Sequence, residues 1–173
     1  MTDYKIRPAT PDDAQRLAHI GVATFIDSYT ADIEGEAMMA HCTHQHSHAI
    51  YQAYLFDPAA MAWLVESAET GAPIGYAVTC APDLPIETMA DDIELKRIYV
   101  LSRFHGSGAG KALMQTVLSH AQAQGAARLL LGTYEDNHRA VAFYSRLGFA
   151  TVGTRQFQIG NILYDDIVMA LNL

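Results

Sequence analysis

Between two recognisable elements the chain reads Arg103-Phe-His-Gly-Ser-Gly-Ala-Gly-Lys111, with glycine at 106, 108 and 110. Glycines this close together let successive backbone amides turn toward one point without a Cβ in the way. The helical pattern that follows adds unpaired N–H groups and the positive end of a dipole, which suits a phosphate or pyrophosphate. Arg103 and Lys111 can add charge, and a plain tight turn needs fewer glycines than this. A Walker loop needs Gly-x-x-x-x-Gly-Lys-Ser/Thr. Here Ala112 follows Gly110-Lys111, so the magnesium-binding hydroxyl is missing, and His105 occupies the first glycine position. A dinucleotide fingerprint needs Gly-x-Gly-x-x-Gly, but Lys111 stands where the third glycine should follow Gly106-x-Gly108.

A second constellation lies downstream: Asn137-His-Arg-Ala-Val-Ala-Phe-Tyr144-Ser-Arg-Leu-Gly-Phe149. Taken alone it is an amphipathic helix closed by glycine. Taken with the glycine turn, and separated from it by one strand, it resembles motif B of the GCN5-related N-acetyltransferase superfamily, Asn-x-x-Ala-x-x-x-Tyr-x-x-x-Gly-Phe. The turn itself resembles that superfamily's motif A, Gln/Arg-x-x-Gly-x-Gly/Ala. Aligned on the helix start, Gly108 and Gly110 take the glycine positions and His105 stands where the motif has Gln or Arg, a departure. Arg103-x-x-Gly106-x-Gly108 also satisfies the literal pattern, two residues early. Ile6-Arg-Pro-Ala-Thr-Pro-Asp-Asp-Ala14 is similar to the superfamily's opening, so the resemblance covers nearly the whole chain. Phe25-Ile-Asp-Ser-Tyr29, Leu95–Val100, and Phe157–Gly160 with Tyr164-Asp-Asp166 are similar to the PaiA-like branch, which is associated with acetylation of spermidine and spermine.

The resemblance implies acetyl transfer from acetyl-CoA to a primary amine of a small acceptor, by direct attack in a ternary complex. It implies that the backbone of Ile98, Tyr99 and Val100 pairs with the pantetheine arm, the Tyr99 N–H serving the oxyanion. Arg103, His105, Gly106, Ser107, Gly108, Ala109, Gly110 and Lys111 would hold the pyrophosphate, and Asn137 the pantetheine near sulfur. Tyr144 would be the general acid, its phenol having a reference pKa of about 10, suited to protonating a thiolate. An ammonium near pKa ~10.4 must first lose a proton, and Glu94 is the candidate base, directly or through a water. Phe25 and Tyr29 are acceptor-side candidates. Two other functions share this fold: a protein or peptide N-acetyltransferase, and an acyl-CoA-binding sensor without turnover. The resemblance leaves room for a homodimer.

These groups need elements to position them. Alternation marks strands at Lys5–Ala9, Met61–Ser67, Ile74–Cys80, Ile93–Val100 and Arg128–Thr133, with two more in the tail. Thr10-Pro-Asp-Asp opens a helix reaching about Tyr29. Further helices are expected over Glu34–Phe56, Gly108–Gln124 and Arg139–Leu147, the latter two stopped by glycine. The order βααβββαβαββ predicts one α/β domain over residues 1–173, with a mostly antiparallel sheet of about seven strands, helices on both faces and one crossover helix. On the central strand, simple alternation puts Leu95, Arg97 and Tyr99 on one face and Glu94, Lys96 and Ile98 on the other.

Composition narrows the partners. Net charge is −8, with 19 acidic against 11 basic residues, which disfavours nucleic acid. No apolar run approaches the ~18 residues of a membrane span, and the opening Met-Thr-Asp-Tyr-Lys-Ile-Arg lacks an apolar signal region. A cytoplasmic protein is expected. Cys42 and Cys80 show no paired spacing, and Cys80 reads as a buried small hydrophobe. His41, His44 and His48 could share a helix face with Cys42 and His46 nearby, but clustered histidines on a polar helix are usually solvated, so no metal is expected. Of Tyr29, Tyr51 and Tyr54, core packing is expected for at least two.

Overall fold

The computed structural model describes residues 3–173. The opening Met1-Thr2 of the stretch considered for a signal lies outside the described residues. Among the described residues seven strands form one sheet: β1 (Tyr4–Pro8), β2 (Met61–Ser67), β3 (Pro73–Cys80), β4 (Asp92–Val100), β5 (Arg128–Tyr134), β6 (Ala150–Ile159) and β7 (Ile162–Asn172). Their spatial order is β1-β2-β3-β4-β5-β7-β6, and of the paired neighbours only β4 and β5 run parallel. A parallel pair needs a crossover. Helix α4 (Ala109–Ala123) supplies it.

Helices cover both faces, as the resemblance implied. Helix α4 and α5 (His138–Arg146) pack on one, where Leu113, Met114 and Val117 meet Trp63, Leu95, Leu129 and Leu131. On the other, Leu17 and Ile20 of α1 (Ala14–Tyr29) and Tyr51 of α3 (His48–Phe56) meet Leu64, Tyr76 and Val78. Helix α2 (Gly35–Gln45) joins Phe25, Ile33 and Ile159 in a smaller cluster at the β6–β7 end. The start of α1 is fixed electrostatically. The Asp13 carboxylate accepts from the Thr10 N–H at 2.8 Å and from Arg7 at 2.7 and 2.8 Å, which holds it well below the usual carboxylate range.

Two expectations need correction. The helix expected over residues 34–56 is two helices, broken at His46 (φ −119°, ψ 28°). Glu34 caps the first by accepting from the Glu36 and Ala37 N–H groups, and Ser47 caps the second by accepting from Ile50 N–H at 3.3 Å. The internal cap at Ser47 restarts the helix, and the break turns His46 into the interior, 4% exposed. Second, β4 does not alternate simply. Val78 faces Arg97 while Thr79 faces Leu95, so Lys96 is an extra, bulged residue. The bulge puts Leu95 with Ile98 and Val100 on the α4 face, while Arg97 and Tyr99 look toward α1 and α3.

Candidate active site

Strands β4 and β5 pair only from Asp92–Glu94 against Arg128–Leu130; beyond that they part. The gap is a cleft of about 790 Å³ walled by Leu95–Val100 on one side and Leu131–Tyr134 on the other. Which backbone groups face it follows from the ladder. Leu101 donates its N–H to Ile74 O at 2.9 Å, and Tyr99 sits opposite Tyr76. Antiparallel pairs alternate, so Tyr99 spends its N–H and C=O on β3, while those of Ile98 and Val100 point into the cleft. The oxyanion role expected of the Tyr99 N–H is thereby corrected: the amides open to a ligand are those of Ile98 and Val100. The Val100 carbonyl is already engaged, since His105 Nε2 donates to it at 2.7 Å.

The glycine turn lies at the mouth of this gap. Gly106 and Gly108 have φ of 83° and 92°, the left-handed region that glycine adopts without strain. Gly108 is the N-cap of α4 and offers no side-chain acceptor; Ser107 Oγ takes the Ala109 N–H at 3.3 Å, leaving the Gly110 and Lys111 amides open. A Cβ at Gly106 or Gly110 would meet nothing within 4 Å, so the space above the turn is open for a ligand. The Asp27 carboxylate anchors the turn from α1 by accepting from Ser102 N–H and Oγ–H at 2.6 and 2.9 Å, and the first of these bonds is the main cause of its lowered pKa. An uncapped helix start, an open glycine backbone and a parted strand pair together fit a pyrophosphate on a long, strand-like arm, as coenzyme A has.

Tyr144 reaches the cleft from α5 and is 8% exposed. Burial, then Tyr99, pushes its phenol above its ordinary value, so it carries its proton at neutral pH. Asn137 caps α5: its Oδ1 accepts from Ala140 N–H at 3.1 Å, leaving the Nδ2 donors for a ligand.

The far half of the cleft is made of side chains. Phe25 and Tyr29 come from α1, and His41 from α2 stacks on Phe25 with centroids 4.3 Å apart. Burial, then Arg97, pushes the His41 imidazole down to about 4, so it is neutral. His46 is pushed down further, again by burial and then Arg97, and its Nδ1 lies 2.8 Å from Tyr51 Oη. Gly21 makes room for this contact, since a Cβ there would lie 2.2 Å from Tyr51 Oη and 2.5 Å from His46 Nδ1. Arg155 and Asp166, paired at 2.8 Å, complete the wall with Phe157 and Tyr164 from the β6–β7 hairpin.

The cleft thus gathers Ile98, Tyr99, Val100, His105, Gly106, Gly108, Gly110, Lys111, Asn137, Tyr144, Phe25 and Tyr29. Glu94, Arg103, Ser107 and Ala109 are not in its wall. Glu94 is 1% exposed, and its two oxygens are taken by the Asp83 N–H at 2.7 Å and the Lys96 ammonium at 3.1 Å. Arg103 lies over the Phe104 ring, and Ala109 is fully buried. The histidines expected to be solvated divide: His44 and His48 are exposed, whereas His41 and His46 belong to the site. Among the described residues no three His, Cys, Asp or Glu side chains are grouped to hold a metal ion. Of the three tyrosines only Tyr51 is wholly core; Tyr29 and Tyr54 line the cleft. Cys80 is buried, its thiol pushed up to about 12 by burial first. Arg97 and Arg155 had no functional role in the sequence reading, where His46 entered only beside the histidine cluster and Asp166 only in the tail that resembles the PaiA-like branch. The only trace of Arg97 was a cation on an otherwise core-directed strand.

Comparison with known proteins agrees with this architecture. The family model described as "Acetyltransferase (GNAT) family" matches residues 26–149. An uncharacterised N-acetyltransferase of Mycobacterium tuberculosis is 34% identical over 161 residues, 93% of this chain and 98% of the relative. N-acetyltransferase 8 of Rattus norvegicus is 32% identical over 124 residues, 72% of this chain and 54% of its own length. Among solved structures, the PaiA N-acetyltransferase of Thermoplasma acidophilum in complex with coenzyme A superposes with a TM-score of 0.81 at 16% identity, over 99% of both chains. The ribosomal-protein-S18-alanine N-acetyltransferase of Escherichia coli gives 0.72 at 19% identity, over 98% of this chain and 94% of that one. At those identities the superpositions establish the fold alone. The chain belongs to the acetyltransferase (GNAT) family. Its activity is that of an acetyl-CoA-dependent N-acetyltransferase. Among the described residues no helix is long and apolar enough to cross a membrane.

Proposed function

We propose that the chain, as one domain over residues 1–173, acetylates a primary amine of a small acceptor by direct attack in a ternary complex. The observation that carries this reading is the continuity of one cleft, which runs from the glycine turn past Tyr144 to a walled pocket of aromatic and imidazole side chains. Acetyl-CoA supplies an activated acyl group. The amine nitrogen forms the new C–N bond as the C–S bond breaks, and the chain's residues manage charge and protons. The Ile98 amide, which points into the gap, donates to developing negative charge. Tyr144 donates its phenolic proton to the departing sulfur. Both Glu94 oxygens are engaged and the His41 imidazole, pushed down to about 4, is too weak a base for an ammonium near ~10.4, so the amine's proton leaves to water in the open cleft before attack.

The β6–β7 hairpin supports a small acceptor over a peptide. Its Gly160 tip sits down on α2, where a Cβ would lie 2.7 Å from Ala37 Cβ, and Ile159 is buried against Phe25 and Met38. A polyamine, the acceptor implied by the PaiA-like resemblance, would meet Arg97 and Lys96. Of the carboxylates lining the cleft, Asp27 is engaged by Ser102 and Asp166 by Arg155, which leaves Asp32 at the rim.

The test is a thiol-release assay with acetyl-CoA across small amines, amino acids, polyamines, aminoglycosides and peptides. Turnover concentrated on small primary amines is expected. Turnover on peptides alone would replace this reading with a peptide acetyltransferase, and acetyl-CoA binding without turnover would leave a sensor.

A further inference from the structure

Among the described residues Arg97 is an interior cation without an acid partner. Arg7, Arg16, Lys96, Arg128 and Arg155 each lie within ion-pairing distance of Asp or Glu. Among the described residues no carboxylate pairs with Arg97, although it stands on the central strand between two helices. Its Nη1 donates to Tyr51 Oη at 2.9 Å and to His46 Nδ1 at 3.0 Å, and its guanidinium carbon lies 5.2 Å and 5.8 Å from the Tyr51 and Tyr54 ring centroids. These partners are neutral. They fix the direction of the guanidinium and do not balance its charge.

The other edge of the fork is open. Among the described residues Nε and Nη2 have no protein acceptor, yet no buried side-chain nitrogen or oxygen there lacks a hydrogen-bond partner. Those two donors therefore face accessible space, and the accessible space there is the acceptor half of the cleft. A planar fork with two parallel N–H bonds free matches a carboxylate bidentately. Desolvating a cation without a counter-ion is costly, and a bound anion removes that cost. The neighbouring imidazoles add no anion, and the cleft that Arg97 lines is also lined by Phe25, Tyr29 and Phe157, which offer apolar surface to the rest of a ligand.

We infer that the acceptor is an amino acid-like molecule, its carboxylate held by Arg97 and its apolar side group by the surrounding aromatic rings. The inference rests on the N-acetyltransferase reading above and narrows its substrate class. Arg97 here is a specificity-determining residue, and the reaction is the one already given, with the acceptor's nitrogen near its acid group.

The test compares matched acceptors at fixed acetyl-CoA: L-phenylalanine against its amide and phenethylamine, and L-methionine against its amide. The amides and the amine keep the apolar group and lose the negative charge. The acid is expected to exceed its neutral partner at least tenfold in kcat/KM. Arg97→Gln should erase that ratio and Arg97→Lys should keep part of it. Retention of acetyl-CoA-induced thermal stabilisation in both variants reports that they are folded. Neutral partners equal to or better than the acids in the native enzyme overturn the inference, as does a ratio untouched by Arg97→Gln. If no acceptor releases thiol, the enzyme reading fails separately. Calorimetric titration of the same acids and amides into protein saturated with coenzyme A then decides the binding claim by itself: tighter binding of the acids supports it, and equal binding overturns it.

Discussion

At one end of the cleft the working groups are backbone: the Ile98 and Val100 edges, the amides of the glycine turn and the first turn of α4. At the other end they are side chains drawn from α1, α2, the bulged strand and the β6–β7 hairpin. The difference has physical consequences. A backbone site is fixed by φ, ψ and strand register, carries no titrating group of its own, and is broken mainly by removing conformational freedom. A side-chain site is set by burial and charge, so it titrates, and single substitutions can redirect it. Tyr144 stands where the two halves meet and should belong to neither pattern.

That position makes Tyr144 the largest expected effect. Tyr144→Phe keeps the ring packed between Phe143 and Phe149 and removes only the proton. The expected outcome is a fall in kcat of roughly 10²–10⁴, the usual range for a positioned acid, with acetyl-CoA affinity nearly unchanged. Near-normal turnover, with chemistry shown to be rate-limiting, would make a water the acid. Next comes the backbone half. Saturating acetyl-CoA at a hundredfold excess over Kd should stabilise the fold by ~2.7 kcal/mol. Gly108→Val forces a β-branched residue toward φ 92° and should abolish that gain while the apo protein remains folded. A variant that responds to acetyl-CoA like the parent would mean that the turn is not the cradle.

The side-chain half should reveal itself through pH. Unfolded imidazoles titrate near 6.5, whereas His41 is pushed down to about 4 and His46 lower, each by burial and the charge of Arg97. Between those values the unfolded chain binds more protons than the folded one. Stability is therefore complete above about pH 6.5 and is lost as pH falls toward 4, with a slope of at most about 2.7 kcal/mol per pH unit for the two rings together, less whatever solvent screening removes at the partly exposed His41. The depressed Asp27 carboxyl beside the glycine turn loses its contribution only below about pH 4. Calorimetry from pH 7 to 5 should show the melting temperature falling, and His41→Phe should flatten the fall. A flat profile in the native protein would contradict the burial of these rings.

The same division explains what could be read from the sequence. Backbone chemistry leaves a local signature, because a glycine pattern at a strand-to-helix junction is written in consecutive residues. Asn137 and Tyr144 sit on one short helix and were legible for the same reason, as was the alternation of the sheet outside the central strand. The acceptor half is assembled from segments far apart in the chain, and two local events hid it. The bulge at Lys96 reversed the faces of β4, so alternation grouped Arg97 with core-directed Leu95. The Ser47 cap broke a helix that looked continuous, and so two of the four histidines turned inward. Neither event changes composition or periodicity enough to announce itself. Glu94 misled in the opposite sense: its strand position suggested a base, while Lys96 and the Asp83 amide occupy both its oxygens.

The smallest expected effect tests how far the backbone half depends on side chains at all. His105 stands where the family motif has Gln or Arg, and its Nε2 donates to Val100 O at 2.7 Å, joining the glycine turn to the strand edge that faces the pantetheine arm. The residue is exposed, so the bond contributes about 1 kcal/mol at most, within the usual net value of a single hydrogen bond. His105→Ala should therefore weaken acetyl-CoA binding by about fivefold, leave kcat within twofold, and leave the preference among acceptors untouched. His105→Gln, which restores a donor, should recover part of the loss. A second tie already holds the turn, since Asp27 accepts from both the Ser102 N–H and hydroxyl. If Asp27 alone fixes the geometry, His105→Ala will bind acetyl-CoA like the parent and Asp27→Asn will carry the loss instead. A change in acceptor preference in the His105 variants would break the separation of the two halves, because it would mean that the strand edge transmits the state of the turn to the pocket beyond Tyr144.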